Sequence, residues 1–354
     1  MGGAGHLEPT RSRCDARKLV AILTVALLPA SAAAAAPALS PTSILSPVST
    51  PADSIFELSL FVIAVTIAIF VTVFGLLVYA VVRFRRKADD DATEPAQVYG
   101  SYEVELAWTI IPILIVTALF LATARVIASV QHPPKPKNAL DVVVVGHQFW
   151  WEYRYPALGV VTANELHVPV SDPAQPTPTF LTLLSADTDH SFWVPRLAGK
   201  TDLIPNHPNS MWIDPHETGL YLGQCAQYCG TQHAKMLLRV YVDSREDFDR
   251  WIAAQRGPAR VDDAVARGRQ VFQTTACVNC HAVAGSTAQG RFGPDLTHFM
   301  SRETIASGVA PNTPENLRLW LRNPDALKPG SLMPAMNLND EDVNAVADYL
   351  ESLR

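Results

Sequence analysis

Two uninterrupted apolar runs dominate the first third of the chain. Leu58–Val82 is 25 residues without a charge and Leu106–Ala124 is 19, each long enough as a helix to cross a hydrocarbon layer of roughly 30 Å. They predict a transmembrane hairpin over 54–131, with helices at about 55–82 and 106–130. The connecting loop opens with RFRRK at 83–87, and its basic excess places the loop in the cytoplasm and everything after 131 outside. Arg125 can snorkel to the interface, and Pro112 is tolerated as a kink. A shorter apolar stretch, Leu19–Leu28, follows Arg11, Arg13, Arg17 and Lys18 and precedes the small residues ASAAAAAP. It is too short to span and predicts an export signal over 1–36, cleaved within Ala30–Ala36.

After the connector QHPPKPKNA the pattern changes to short β-branched and aromatic runs: LDVVVVGHQFWWEYRY, TFLTLLSA, GLYLGQCAQYCG and MLLRVYVDS. Pro, Asp, Asn and Gly separate them, which predicts a small β-sandwich or barrel over 138–245. From Ser244 the sequence REDFDRWIAAQR turns helical, and GPARVD continues a helix-and-linker segment, 246–261. The remainder, 262–354, reads as helices separated by loops. The fold class is a multidomain membrane protein with a two-helix hairpin, a β-sandwich or barrel and an all-α terminal domain.

Composition agrees: 48% of residues are hydrophobic and mean hydropathy is +0.11, high for a purely soluble chain. The net charge of -6 and the lack of a long basic run argue against nucleic-acid binding. Of five cysteines, Cys14 precedes the leader's apolar core, and Cys225/Cys229 and Cys277/Cys280 form two close pairs near His and Met. Such pairs read as cofactor ligands rather than a disulfide framework.

Cys277–His281, CVNCH, has the C-x-x-C-H spacing of covalent haem c attachment, with two thiols for the vinyl groups and an adjacent imidazole for the iron. A zinc site would need a second ligand pair, and no cysteine follows Cys280. GRQVFQTTACVNCH, GPDL at 293–296, GSLMPAM at 330–336 and Tyr349 on a closing helix together resemble the class I cytochromes c. That resemblance makes Met333 the second axial ligand, with Met336 as competitor, and makes the Pro294 carbonyl the acceptor for His281 Nδ1. A proline directly after Met333 favours it, because a fixed φ steadies a ligand loop.

CAQYCGTQHAKM, Cys225 to Met236, combines two cysteines, a histidine and a methionine. A single blue copper has no use for the second cysteine, whereas zinc takes two Cys and two His. Two thiolates could instead bridge two coppers, each completed by one histidine and a weak ligand. Such a site needs a distant histidine, which DTDHSFWVPRLAGKTDLIP supplies as His190.

These segments, with ELAWTIIP and GHQFWWEYRYP, resemble subunit II of the respiratory haem-copper oxidases, the cytochrome c oxidases with a CuA centre, over nearly all of 55–245. A fused cytochrome c occurs in one branch of that family. The resemblance implies a cupredoxin-like domain in which His190, Cys225, Cys229, His233, Met236 and the Gln227 backbone carbonyl hold binuclear copper. His147, His167, His207 and His216 have no such match and read as local hydrogen-bonding residues. The family usually has Glu at Gln227, where the carboxylate helps bind magnesium against subunit I. A carbonyl ligand survives the change, whereas an anionic magnesium ligand does not.

Phe149 stands where the family commonly has the tryptophan that receives an electron from soluble cytochrome c, and Trp150 and Trp151 adjoin it. A tethered haem domain makes that external entry less necessary. Glu105 matches the acidic residue proposed to admit protons to subunit I. The implied function is subunit II of a cytochrome c oxidase in a bacterial cell membrane, its copper and haem domains on the outer side. It would pass electrons from cytochrome c through its own haem and CuA to subunit I, beside subunit III, for oxygen reduction and proton translocation. The rivals are the electron-entry subunit of a CuA-containing nitric oxide reductase and a copper-handling module; a quinol oxidase subunit would lack the copper ligands.

Overall fold

The structure, a computed structural model, describes residues 41–85, 97, 99–172, 174–259 and 263–354. The expected export signal, 1–36, and residues 86–87 of the basic loop lie outside the described residues. The two apolar runs form α1 (Thr50–Arg83), opened by Pro51 in its first turn, and α2 (Tyr102–Gln131), which contains Pro112. Both extend beyond the charge-free cores, and their apolar side chains are exposed, a surface that only lipid or other membrane helices can cover.

The start of α1 and the end of α2 are fastened to the strand domain. Trp212 Nε1 donates to the Val130 carbonyl (2.8 Å), Asp214 N to Ser49 Oγ (2.9 Å), and Thr50 Oγ1 to the Asp214 carboxylate (2.6 Å).

The strand domain is a sandwich of two five-stranded sheets. One contains β1 (Leu140–His147), β2 (Trp150–Tyr155), β3 (Val160–Ala163), β5 (Thr179–Ser185) and β8 (Asn209–Ile213), in the order β3-β2-β1-β5-β8. The other contains β4 (Glu165–Pro169), β6 (His190–Trp193), β7 (Thr201–Leu203), β9 (Gly219–Cys225) and β10 (Leu237–Asp243), in the order β4-β10-β9-β6-β7. Pairing is parallel between β1 and β5 and between β4 and β10, and antiparallel elsewhere. Alternation sets the inward faces: on β10, Leu238, Val240 and Val242 are buried while the residues between them are not. Trp151, Tyr153, Leu183 and Phe192 fill the space between the sheets.

Ser244 caps α3 (Arg245–Arg256) by accepting from Asp247 N, and Phe248 and Ile252, four residues apart, bury the inner face of that helix. The terminal domain contains α4 (Ala266–Thr274), the single turn α5 (Cys277–Cys280), a two-stranded ribbon of β11 (Thr304–Ile305) and β12 (Ala310–Pro311), α6 (Pro314–Arg322), α7 (Pro324–Leu327) and α8 (Asp340–Ser352). Helices α4 and α8 cross at Gly268, where a Cβ would lie 1.8 Å from the Ala345 carbonyl oxygen, and the Phe272 and Tyr349 rings meet 5.6 Å apart beside the crossing.

Sequence alone gives a tethered terminal domain; the structure docks it. Glu165 of β4 is buried and accepts Glu303 N, Thr304 N and Thr304 Oγ1 at 2.7–3.0 Å, while Arg239 and Tyr241 of β10 bond the Glu303 carboxylate. These contacts fasten the start of the β11 segment to the β4 edge of the sandwich.

Replacing Gly268 with Ala should force α4 off α8 and cost about 1–3 kcal/mol or more. Thermal unfolding of the full chain monitored in the haem-domain absorbance should show an early transition, and unchanged melting would refute the close crossing.

Candidate functional site

One strand and a contiguous strand end and loop, distant from it in sequence, bring the first ligand set together. β6 contributes His190, the end of β9 contributes Cys225, and the loop into β10 contributes Cys229, His233 and Met236. The loop folds back on itself through Cys225 N to Met236 O (3.0 Å) and His233 N to Gly230 O (3.1 Å), and Ala226 N ties it to β6 at Ser191 O (3.0 Å). The Cys225 and Cys229 sulfurs stand 3.9 Å apart. Cys225 Sγ has His190 Nδ1 at 4.0 Å and the Gln227 carbonyl oxygen at 3.2 Å; Cys229 Sγ has His233 Nδ1 at 3.8 Å and Met236 Sδ at 3.9 Å. Each sulfur therefore has its own imidazole and one weak donor. His190, Cys225, Cys229 and Met236 are buried, His233 is half-buried, and the Gln227 side chain is exposed.

The donor chemistry fits a metal pair. Six donor atoms gather here, the two cysteine sulfurs and four around them, more than a closed tetrahedral zinc site uses. Cys225, bonded by the Cys229 thiol, is pushed down to about 3, and the Cys225 sulfur in turn drives Cys229 up. Ionising both sulfurs at this separation calls for cationic charge between them.

Two residues that sequence reasoning passed over hold this arrangement. Asp187, three positions before His190 in DTDH, accepts from His190 Nε2 (2.8 Å) with one oxygen and from Gln148 N (2.6 Å) with the other, which turns Nδ1 toward the sulfurs. Gly146 backs the imidazole closely, since a Cβ there would lie 2.8 Å from His190 Cδ2.

The second set lines a largely apolar cleft in the terminal domain. Cys277, Cys280, His281, Met333 and Met336 all line it, together with Phe272, Phe299 and Leu317. His281 Nδ1 bonds the Pro294 carbonyl (2.8 Å), and burial lowers the imidazole below its usual value, so Nε2 is kept as a free lone pair. Gly293 leaves room for that ring, because a Cβ there would lie 2.6 Å from His281 Cε1. Met333 packs against the domain core. An apolar cavity with two thiols, a neutral imidazole and a thioether suits a covalently held haem.

The copper-type loop and the cleft share a boundary. Gln148, Phe149 and Trp150 line the cleft from the sandwich side, and Gln148 Nε2 donates to the Cys229 carbonyl (2.6 Å). Trp151 lies in the sandwich core, edge-on to His190 with centroids 6.0 Å apart. Adjacent residues of one strand thus touch both sites. Glu105 is exposed in the first turn of α2, at the end of that helix away from the sandwich. His147 bonds Glu152 and stacks on Trp150, His167 bonds Asp243, and His216 lies against Thr50 and Asp53. His207 makes a backbone turn to Ile204.

Comparison with known proteins covers most of the chain. Residues 42–125 match the family described as Cytochrome C oxidase subunit II, transmembrane domain; 173–242 match its periplasmic domain; and 265–354 match Cytochrome c. Cytochrome c oxidase subunit 2 of Alkalihalophilus pseudofirmus is 34% identical over 317 residues, 88% of this chain and 90% of that one. The protein of the same name from Bacillus sp. (strain PS3) is 33% identical over 290 residues, 77% and 80% of the two chains. Among solved structures, the periplasmic domain of subunit II of cytochrome oxidase from Bradyrhizobium japonicum is 27% identical with a TM-score of 0.32, covering 35% of this chain and 97% of that one.

Glu152, beside the cleft boundary, gives a pH prediction. Burial pushes its carboxyl up, but hydrogen bonds from His147 and Arg154 outweigh burial and hold it at about 2, against an ordinary 4.5. A depressed carboxyl contributes stability that is complete above the unfolded value and lost as pH falls from about 4.5 toward 2. Glu152→Gln should remove at most about 3 kcal/mol at neutral pH and flatten the acid limb of the unfolding curve. An unchanged acid limb would count against the triad.

Proposed function

The chain belongs to the cytochrome c oxidase subunit II family and carries a cytochrome c domain at its carboxy end, and from that premise we propose that it is the electron-entry subunit of an oxygen-reducing, proton-translocating oxidase. It takes electrons from a cytochrome c at the terminal domain and delivers them through the sandwich domain to subunit I, where oxygen chemistry belongs. The hairpin anchors it in a bacterial cell membrane with both redox domains on the outer face, beside subunit I and subunit III. The observation that carries this reading is the pairing of two sulfurs, each with its own imidazole, at a loop whose Cys229 carbonyl is bonded by a residue lining the cleft.

When bound, binuclear copper and haem c supply two one-electron centres, the first with its charge spread over two metals. His190, Cys225, Cys229, His233, Met236 and the Gln227 carbonyl would hold the copper. Cys277 and Cys280 would carry the haem through thioethers, and His281 and Met333 would bind its iron. The apolar cleft walls exclude water, which limits solvent reorganisation when charge moves. Buried Cys225 and Cys229, tied by backbone hydrogen bonds, hold their geometry in either oxidation state. Phe149, Trp150 and Trp151 form the protein path between the centres, and the Asp187 bond keeps His190 turned toward the sulfurs. Glu105 offers a proton-accepting carboxylate to subunit I at the opposite membrane face. At Gln227, exposed and uncharged, an amide stands in place of an anionic magnesium ligand, leaving its oxygen to bind weakly or through water.

Electron paramagnetic resonance and metal analysis of the purified full chain should show two coppers sharing one unpaired electron and one haem. Zinc, or an ordinary single-copper signal, would overturn the copper assignment. Met333→Ala should abolish the sulfur-to-iron absorption band while Met336→Ala retains it, and the reverse outcome would transfer the axial role to Met336.

A further inference from the structure

The haem cleft is apolar over most of its lining, yet two cations are buried where it meets the sandwich. Lys328 is 4% exposed and Arg302 8%, and both line the cleft. Lys328 Nζ donates to the Phe149 carbonyl of the sandwich (2.8 Å) and to the Ala306 carbonyl of the terminal domain (3.2 Å). An ammonium has three donors, so one remains. Arg302 sends one amino group to the Asp295 carbonyl, and its Nε has no partner.

Among the described residues neither cation makes an ion pair. Of the carboxylates coupled to Arg302, Asp295 already accepts Thr297 N and Glu165 already accepts the backbone of Glu303 and Thr304. Buried charges of this kind are strongly penalised unless a counter-charge arrives. Burial, partly opposed by attraction to Cys229, holds the Lys328 ammonium down at about 7.

The cleft therefore asks its occupant for an apolar body and negative charge at one corner. Haem has that character: a flat, largely apolar tetrapyrrole ring with two carboxylates on one edge. We propose that Lys328 is a shared cation, placing its free donor on a haem carboxylate while it holds the Phe149 carbonyl of the copper domain, so that the bound haem completes the seam between the two domains. This rests on the cytochrome c reading of the cleft.

The seam leads directly to the copper ligands. Phe149 packs its ring against Gly230, where a Cβ would lie 3.1 Å from the ring, and the preceding Gln148 bonds the Cys229 carbonyl. The loop carrying Met333 also abuts the copper loop, since Gly330, held at φ +85, faces Thr231 and Gln232. Lys328 is thus a positioning residue: it orients the carboxylate edge toward the path that reaches Cys229 and neutralises charge at that edge.

The test uses the full chain and reads the haem midpoint potential by spectroelectrochemical titration. Lys328→Gln should keep covalent haem, the sulfur-to-iron band and the copper resonance, and should lower the haem potential, because an uncompensated carboxylate favours the ferric state. Lys328→Arg should stay near the parent value. An unmoved potential in Lys328→Gln, or equal shifts in both variants, overturns the inference.

If the glutamine variant does not accumulate, Lys328→Arg with haem isotopically labelled at its carboxylates decides the question. Its reduced-minus-oxidised infrared carboxylate bands should shift from the parent's, and identical bands overturn the inference. Failure of the parent chain to hold covalent haem would instead defeat the underlying cytochrome c reading.

Discussion

Two sulfurs held 3.9 Å apart in a buried loop are the constraint around which the outer part of this protein is arranged. Two thiolates at that separation repel, and burial makes the repulsion worse. The loop tolerates them because its own backbone closes through Cys225 to Met236, and because His190, drawn from another strand, is aimed by Asp187. The sandwich is what makes this possible: β6 lies beside β9, so the residue at the start of one strand meets the residue at the end of the other.

The same strand packing extends the copper-side geometry into the terminal domain. Glu165, Arg239 and Tyr241 line an edge of the sandwich that receives Glu303 and Thr304. Phe149 faces the haem cleft with its carbonyl engaged by Lys328. These polar contacts, together with the Lys328 bond to the Phe149 carbonyl, dock the terminal domain on the sandwich.

Much of this was legible in sequence because it depends on local patterns. Charge-free runs long enough to span a membrane give α1 and α2, since an unpaired backbone in lipid leaves helix as the available form. The alternation along MLLRVYVDS gives β10, and CVNCH gives a turn presenting two thiols and an imidazole. The helices run further than the charge-free cores because polar ends such as Asp53 and Gln131 continue the hydrogen bonding into the interface. Asp187, Gly146, Lys328 and Glu165 were passed over. Each looks like an ordinary surface or turn residue until its neighbour across the fold is known.

What the sequence determined by itself is the inventory: which side chains have the softness, charge and spacing to hold copper and haem, and which segments enter lipid. Those properties belong to residues and to neighbours within a turn or two. Tertiary structure decided which of them meet. It paired one imidazole with each sulfur, placed Trp151 against His190 while Phe149 and Trp150 face the cleft, and buried a lysine between two domains. The reason is that burial and long-range contact depend on how sheets stack and domains dock, and the free energy of a charge changes far more with its surroundings than with its place in the chain.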